Sequence, residues 1–334
     1  MNVYVYVGRR LLFLLPTLLG VLVITFLISH LIPGDAAQLI AGPRATPEII
    51  QRIREEYGLD KPLHVQFWVY LRQLARGDLG QSILTRRPVS SDIRSFLPAT
   101  FELTTTAMLL SILFGVPLGI VSALKRNRIW DHLSRVFSVT GVSMPIFWLG
   151  LLMMLVFYIR FDILPGPGRV SGDPPTMITG LYVLDSLLTL NWRAFGDAAL
   201  HLVMPASALA FAVLARVARM MRSSMLEALD QDYVRTARAK GLVEARVVAK
   251  HALRNALIPT LTVVGLSYGE LLGGAVATEL IFAWPGMAHY VVGSMSSLDF
   301  PAVMGVTLVI ALIYILVNLV VDVSYAFIDP RIRY

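Results

Sequence analysis

The sequence predicts an all-α integral membrane protein with six transmembrane helices, and three observations carry that reading. Hydrophobic residues make up 56% of the chain and charged residues 15%, with a mean hydropathy of +0.67, far from a water-soluble domain. Six apolar stretches are long enough to cross the ~30 Å hydrocarbon layer as helix. The net charge of +7 sits in clusters beside those stretches, where it sets membrane orientation rather than contact with nucleic acid.

Leu11 to Ile32 contains no Asp, Glu, Lys or Arg, and at ~1.5 Å per residue it covers the hydrocarbon. It follows Arg9-Arg10 as a secretory signal would. Its apolar core exceeds the ~7–15 residues of such a signal and Pro33-Gly34-Asp35 is a poor cleavage site, so it is expected to be retained. Residues 33–98 read as helices outside the bilayer. Thr46 caps the first, Pro47 begins it, Ile49, Ile53 and Tyr57 share a face, and Gly58 ends it. A second runs from Pro62 to Arg76, with Leu63, Phe67, Leu71 and Leu74 on one face and Gly77 after it. The pair either lies on the membrane surface or forms a platform for an external protein.

The second span is Leu103 to Leu124, closed by Lys125-Arg126-Asn127-Arg128. Val136 to Ile159 is the third, and Pro145 inside it removes a backbone donor and should kink it. Gly166 to Asn191 reads as a loop with one short interfacial helix. Ala198 to Ala215 is a shorter fourth span, in which Pro205 can begin a helix and Arg216 can extend its head group to the interface. The fifth runs from Leu257 to Ala283 and the sixth from Pro301 to Val321. Along the fifth, Gly265, Gly269 and Gly273 form one face suited to close helix contact. Glu270, half-way along the same span, would cost several kcal/mol as an ion in lipid, so it should face a cavity or a partner. Glu279 is expected to order the helix end near Pro285-Gly286.

Lys and Arg place the N-terminus and the C-terminus in the cytoplasm. Seventeen then lie in inner segments and three in the short outer ones; the first outer segment is too long for the rule to apply. The fourth and fifth spans are then joined in the cytoplasm by a basic element. Asp232 can cap a helix starting at Tyr233, and Gly241 can close it in a left-handed conformation. Ala237, Ala239 and Gly241 would let a partner's backbone approach closely, with Arg235, Arg238 and Lys240 at the rim. A second helix, Val243 to Asn255, leads to Pro259. From spacing alone, a solvated basic loop that only fixes topology is an equal reading.

Other chemistry is weakly represented. The chain has no cysteine, and His30, His64, His132, His201, His251 and His289 are scattered, so no metal site is expected. Lys61, Lys125, Lys240 and Lys250 follow Asp, Leu, Ala and Ala, so the Gly-Lys-Ser/Thr of a phosphate-binding loop is missing from the sequence.

DYVRTARAKGL followed by HALRNALIPTLTVVGL, at Asp232 to Leu242 and His251 to Leu266, resembles the cytoplasmic loop of the dipeptide/oligopeptide family of ATP-binding-cassette (ABC) importer permeases. The similarity extends to HLIPGD at His30, GLDKPL at Gly58, GDLGQS at Gly77, RRPV at Arg86, SMPIFWLG at Ser143, MRSSMLE at Met221, TELIFAWPG at Thr278 and DPRIRY at Asp329. Gly166 to Asn191 is similar to the longer outer loop of dipeptide-type members. The resemblance is to the first permease subunit and implies a type I importer permease fold: residues 1–32 as tail and first span, 33–98 as an extracytoplasmic helical segment, 99–322 as the permease core with a coupling loop at about 220–256, and 323–334 as a cytoplasmic tail.

It further implies a bacterial inner-membrane assembly. The partners are a second homologous permease, two cytoplasmic ATPases that bind ATP and Mg, and an extracytoplasmic substrate-binding protein. The chain itself would hold no cofactor and catalyse nothing. Tyr233, Arg235, Thr236, Ala237, Arg238, Ala239, Lys240 and Gly241 would form the ATPase-coupling helix, although Arg235 and Thr236 depart from the general Glu-Ala-Ala-x-x-x-Gly pattern. Glu270 is a candidate for the translocation pathway, and Gly265, Gly269 and Gly273 for the permease interface. The alternatives are the same architecture carrying glutathione or nickel chelates, or a self-sufficient secondary transporter.

Overall fold

The computed structural model describes residues 3–31, 36–41, 45–56 and 58–328; Tyr57, Pro33-Gly34-Asp35 and the DPRIRY tail lie outside them. Among the described residues the regular structure is helical, apart from one isolated bridge between Gln81 and Pro88. Four helices precede the second span: α1 (Val3–Leu31), α2 (Ala36–Ala41), α3 (Pro47–Glu56) and α4 (Leu63–Ala75). The elements that follow are α5 (Val89–Leu124), α6 (Ile129–Ser143), α7 (Ile146–Met153, widening into a π-helical stretch Met154–Arg160) and, after α8 (Tyr182–Leu188), α9 (Trp192–Leu229). Then come α10 (Asp232–Ala239), α11 (Glu244–Arg246), a π-helical stretch Val247–Ala252, α12 (Leu253–Gly274), α13 (Val276–Ile281), α14 (Met287–Ser296) and α15 (Phe300–Ile328).

Among the described residues, four runs are long and apolar enough to cross a membrane: α5, α9, Glu244–Gly273 and Phe300–Ser324. The pair α6 and α7 makes a fifth if counted as one span, while the apolar stretch described in α1, Leu15–Ser29, is shorter. The count is therefore four or five where the sequence predicts six. The third span is broken rather than merely kinked, with 102° between its halves. Pro145 has no N–H and forces Met144 out of the helical region, to φ −83 and ψ 125. The fourth span begins at Trp192, where Asn191 caps the Ala194 N–H at 3.1 Å, so Pro205 lies inside the helix instead of starting it. The fifth ends at Gly274, short of Ala283, because Gly273-Gly274 has low helix propensity and Ala275 leaves helical geometry.

The chain packs as two units. The first holds residues 98–285 with the end of α15 and is organised around α9, whose apolar stretch is the most buried of the spans. A side chain at Gly115 or Gly119 of α5 would strike the Leu214 carbonyl at 3.0 Å or the Ala218 carbonyl at 2.6 Å on α9. Gly141 of α6 likewise meets the Ala215 methyl at 2.7 Å. The approach of α5 to α9 thus uses a Gly-x-x-x-Gly that the sequence analysis did not single out. Leu103, Leu209, Val213, Val217, Leu271 and Trp284 fill this core.

The outer-loop segment also folds into the first unit. Its Arg169 is buried, pairs with Glu102 of α5, donates to the Gly180 carbonyl at 3.0 Å and stacks over Tyr182 at 3.6 Å. The short helix expected there is α8. Burial alone would push the Asp185 carboxyl up, but the Thr179 hydroxyl and the N–H groups of Thr179, Ile178 and Gly180 outweigh it and hold it below the usual carboxylate range. Glu279 is buried and accepts from the Thr100 hydroxyl at 2.6 Å, while the Trp284 N–H donates to the Glu279 carbonyl, so the residue does order this helix end.

The second unit holds residues 8–97 and 286–313. In it α3 and α4 match the punctuation read from sequence: Gly58 and Gly77 take φ of +64 and +77, and Pro62 and Arg76 are the flanking caps of α4 rather than its ends. Phe67, Leu71 and Leu74 are half-buried and Leu63 is exposed. Val89, Ile93, Met287, Tyr290 and Val306 form this unit's core.

Candidate functional site

The candidate docking element, α10, is built locally. Val234 and Ala237 of α10 are buried against Val247, with Leu229 and Leu242 around them, which leaves the opposite side of the helix exposed. That side carries Tyr233, Arg235, Thr236, Arg238, Ala239 and Lys240. Gly241 takes φ +72, and its N–H donates to the Arg238 carbonyl at 2.9 Å, closing the helix as expected.

Three expectations are corrected. Asp232 is the first helical residue rather than the cap: Gln231 holds the cap position without a side-chain bond, and its carbonyl accepts from Val234 at 3.0 Å. Ala237 is unavailable to a partner's backbone because it packs inward; Ala239 and Gly241 keep the small exposed surface. The helix expected over Val243 to Asn255 is not a separate element, since α11 and the π-helical stretch run into α12 without leaving helical geometry.

These corrections give the element its mechanical character. The Tyr233 hydroxyl accepts from the Asn255 amide at 2.8 Å, fixing α10 to the start of α12. Arg238 makes a two-point contact with Glu244, at 2.7 and 3.1 Å, which holds its guanidinium above its ordinary pKa. Arg235 lies 3.2 Å from Asp232. On the other side, α9 reaches α10 after only Asp230 and Gln231. Its 38 residues, ~57 Å at ~1.5 Å each, exceed the hydrocarbon thickness. Near its end Arg222 clasps the buried Asp131 of α6 at 2.6 and 3.0 Å, and Asp131 also accepts from Ser122 at 2.8 Å and from the Asn127 N–H at 2.9 Å. Sequence reading missed this joint, as nothing local to either residue announces a partner about 90 positions away.

The other predicted residues are placed as follows. Glu270 is not isolated: its Oε2 lies 2.5 Å from Arg216 Nη1, with side-chain exposures of 58% and 35%. Arg216 is accordingly turned to α12 rather than extended to an interface. Gly265 packs against Val321 and Gly269 against Tyr314 of the chain's own last helix. Those two glycines serve contact within the chain, and Gly273 alone of the three has open space at its Cβ position. Among the described residues no group of three or more His, Asp or Glu is placed to hold a metal.

Comparison with known proteins agrees with this arrangement. Residues 115–334 match the family model described as binding-protein-dependent transport system inner membrane component, and residues 3–104 match the corresponding N-terminal model. A probable D,D-dipeptide transport system permease protein of Escherichia coli (strain K12) is 56% identical over 94% of this chain and 93% of its own length. A dipeptide transport system permease protein of Alkalihalophilus pseudofirmus is 47% identical over 98% of this chain and 99% of its own. A glutathione transport system permease protein of Salmonella typhimurium is 46% identical over the same shares. With both family models matched and relatives this similar over nearly the whole chain, the chain belongs to the binding-protein-dependent transport system inner membrane components, the multi-pass permease subunits of ABC transporters.

Proposed function

We propose that this chain is one of two permease subunits of an ATP-driven importer of short peptides in the bacterial cytoplasmic membrane. The observation that carries the reading is the exposed face of α10, with Tyr233, Arg235, Thr236, Arg238, Ala239 and Lys240 outward and Val234 and Ala237 anchoring it to the helix that becomes α12. Such a face suits a cleft on a cytoplasmic ATPase that binds ATP and Mg. The named relatives act on D,D-dipeptides, dipeptides and glutathione, all of them peptides of two or three residues, which supports that substrate class.

In this reading the chain crosses the membrane six times with both termini in the cytoplasm, α1 and the broken pair α6–α7 each counting as one span. Residues 33–98 form an extracytoplasmic helical segment that receives a substrate-binding protein. The core follows to residue 322, then a cytoplasmic tail. Glu270 lies on the translocation pathway, and the open Gly273 contacts the second permease. Closure of the ATPases moves α10, and α9 and α12 follow as rigid levers between inward-open and outward-open states.

Uptake and ATP hydrolysis by the reconstituted transporter test this reading. With Arg235→Glu and Arg238→Glu together, we expect peptide uptake to fall at least about tenfold, equivalent to ~1.4 kcal/mol of lost coupling, while the protein still assembles in the membrane. Unchanged uptake and unchanged stimulated hydrolysis in that variant would count against α10 as the coupling element.

A further inference from the structure

Apart from Arg254, the exposed positions of α12 share one face along its length. They are Asn255, Pro259, Thr262, Leu266, Glu270 and Gly273, spaced three or four residues apart so that they stack on one side, while Ala256, Thr260, Ser267 and Leu271 are buried on the other. The run containing α12 is also the least apolar of the four membrane-length helices. Glu270 is the sole Asp, Glu, Lys or Arg between Arg254 and Glu279. Arg216 stands 13 residues before the end of α9, and Glu270 stands 15 residues beyond Asn255. At ~1.5 Å per residue along their helices both lie ~20 Å from α10. In the six-span reading Glu270 lies within a membrane-crossing helix, where an exposed charge does not face lipid.

The pair has unused capacity. Arg216 gives Nη1 to Glu270, but its Nε is buried with no partner, and more than half of the Glu270 side chain is open. A ligand carrying one charge that displaced this contact would leave the other group without its partner. A ligand carrying both charges breaks one ion pair and makes two.

We propose that Arg216 and Glu270 bind the charged termini of a passing short peptide, the carboxylate on Arg216 and the ammonium on Glu270. The proposal rests on the peptide-importer reading and deepens it. Re-forming the Arg216–Glu270 contact when α9 and α12 close displaces the peptide, which gives the weak, reversible hold that a transport pathway needs.

The test is equilibrium binding of radiolabelled alanyl-alanine, in either handedness, to the purified complex of both permeases and both ATPases without binding protein. Uptake by the complete transporter in proteoliposomes is measured beside it. The wild-type complex is expected to retain the dipeptide saturably, and the C-terminal amide, which lacks the carboxylate, to compete roughly 10- to 100-fold more weakly. The Arg216→Gln/Glu270→Gln double variant is expected to lose retention by a similar factor and to slow uptake. It removes both charges together, so no lone charge is left to disturb folding.

Retention and uptake by the double variant equal to wild type overturn the site and leave the pair as a contact between helices. A wild-type complex that transports the dipeptide but does not retain it, or does not discriminate against the amide, also overturns it. A wild-type transporter that takes up no dipeptide overturns the peptide reading itself.

Discussion

Arg216 and Arg222 stand less than two turns apart on α9, and each meets a carboxylate on another helix, yet their surroundings are opposite. Asp131, which Arg222 clasps, is fully buried and accepts from a hydroxyl and a backbone N–H besides the guanidinium. Glu270, which Arg216 meets, is mostly exposed, and the contact is single. A buried carboxylate with every oxygen engaged is a fixed joint: parting it leaves two desolvated charges. A half-exposed single contact can open and close at little cost. The same residue type on one helix thus builds a rigid end beside α10 and a movable contact higher up.

Removing a carboxylate from each pair breaks that comparison most directly. Asp131→Ala leaves Arg222 facing a dry cavity, and we expect a loss of ~3–5 kcal/mol, read as a lower thermal midpoint of the detergent-purified protein and a lower yield of assembled complex. Glu270→Ala should cost less than ~1 kcal/mol by the same measurement. Equal losses would mean that both pairs are fixed joints.

Close packing around α9 can be sharpened in the same way. Gly119→Ala drives a methyl against the Ala218 carbonyl and should destabilise by ~1–3 kcal/mol. Gly273→Ala meets open space and should stay within ~0.5 kcal/mol of wild type in the same melting experiment. The smallest expected effect concerns acid. The folded Asp185 carboxyl lies below its unfolded range, so its contribution is present above about pH 4, the unfolded value, and is lost as pH falls through the folded one. Thermal midpoints of Asp185→Asn should therefore converge on wild type at low pH and fall short of it at neutral pH.

Local signals were legible in the sequence and distant pairings were not. Thr46, Gly58, Gly77 and Gly241 mark helix ends because capping and positive φ depend on neighbouring residues only. Pro145 was legible as a kink because its effect acts on the residue before it, but not as the 102° break the structure shows. Pro205 and Pro259 sit inside helices, since surrounding helices tolerate the missing donor in a membrane protein. The joints Glu102–Arg169, Asp131–Arg222 and Arg216–Glu270 join residues 54 to 91 positions apart, and spacing carries no record of which charges meet. The glycine pattern misled for the same reason: Gly265 and Gly269 looked free for a partner, but the last helix already covers them. In the docking helix, periodicity placed the charges but did not reveal that Ala237 turns inward.

The account depends on α10 being gripped by an ATPase whose closure drives the levers. The chain has no cysteine, so Ala239→Cys places one thiol at the exposed end of α10. A short thiol-to-amine cross-linker applied to the assembled transporter is predicted to join this chain to the ATPase subunit and to arrest peptide uptake. Failure to join the two, or a covalent link that leaves uptake at its full rate, contradicts the account.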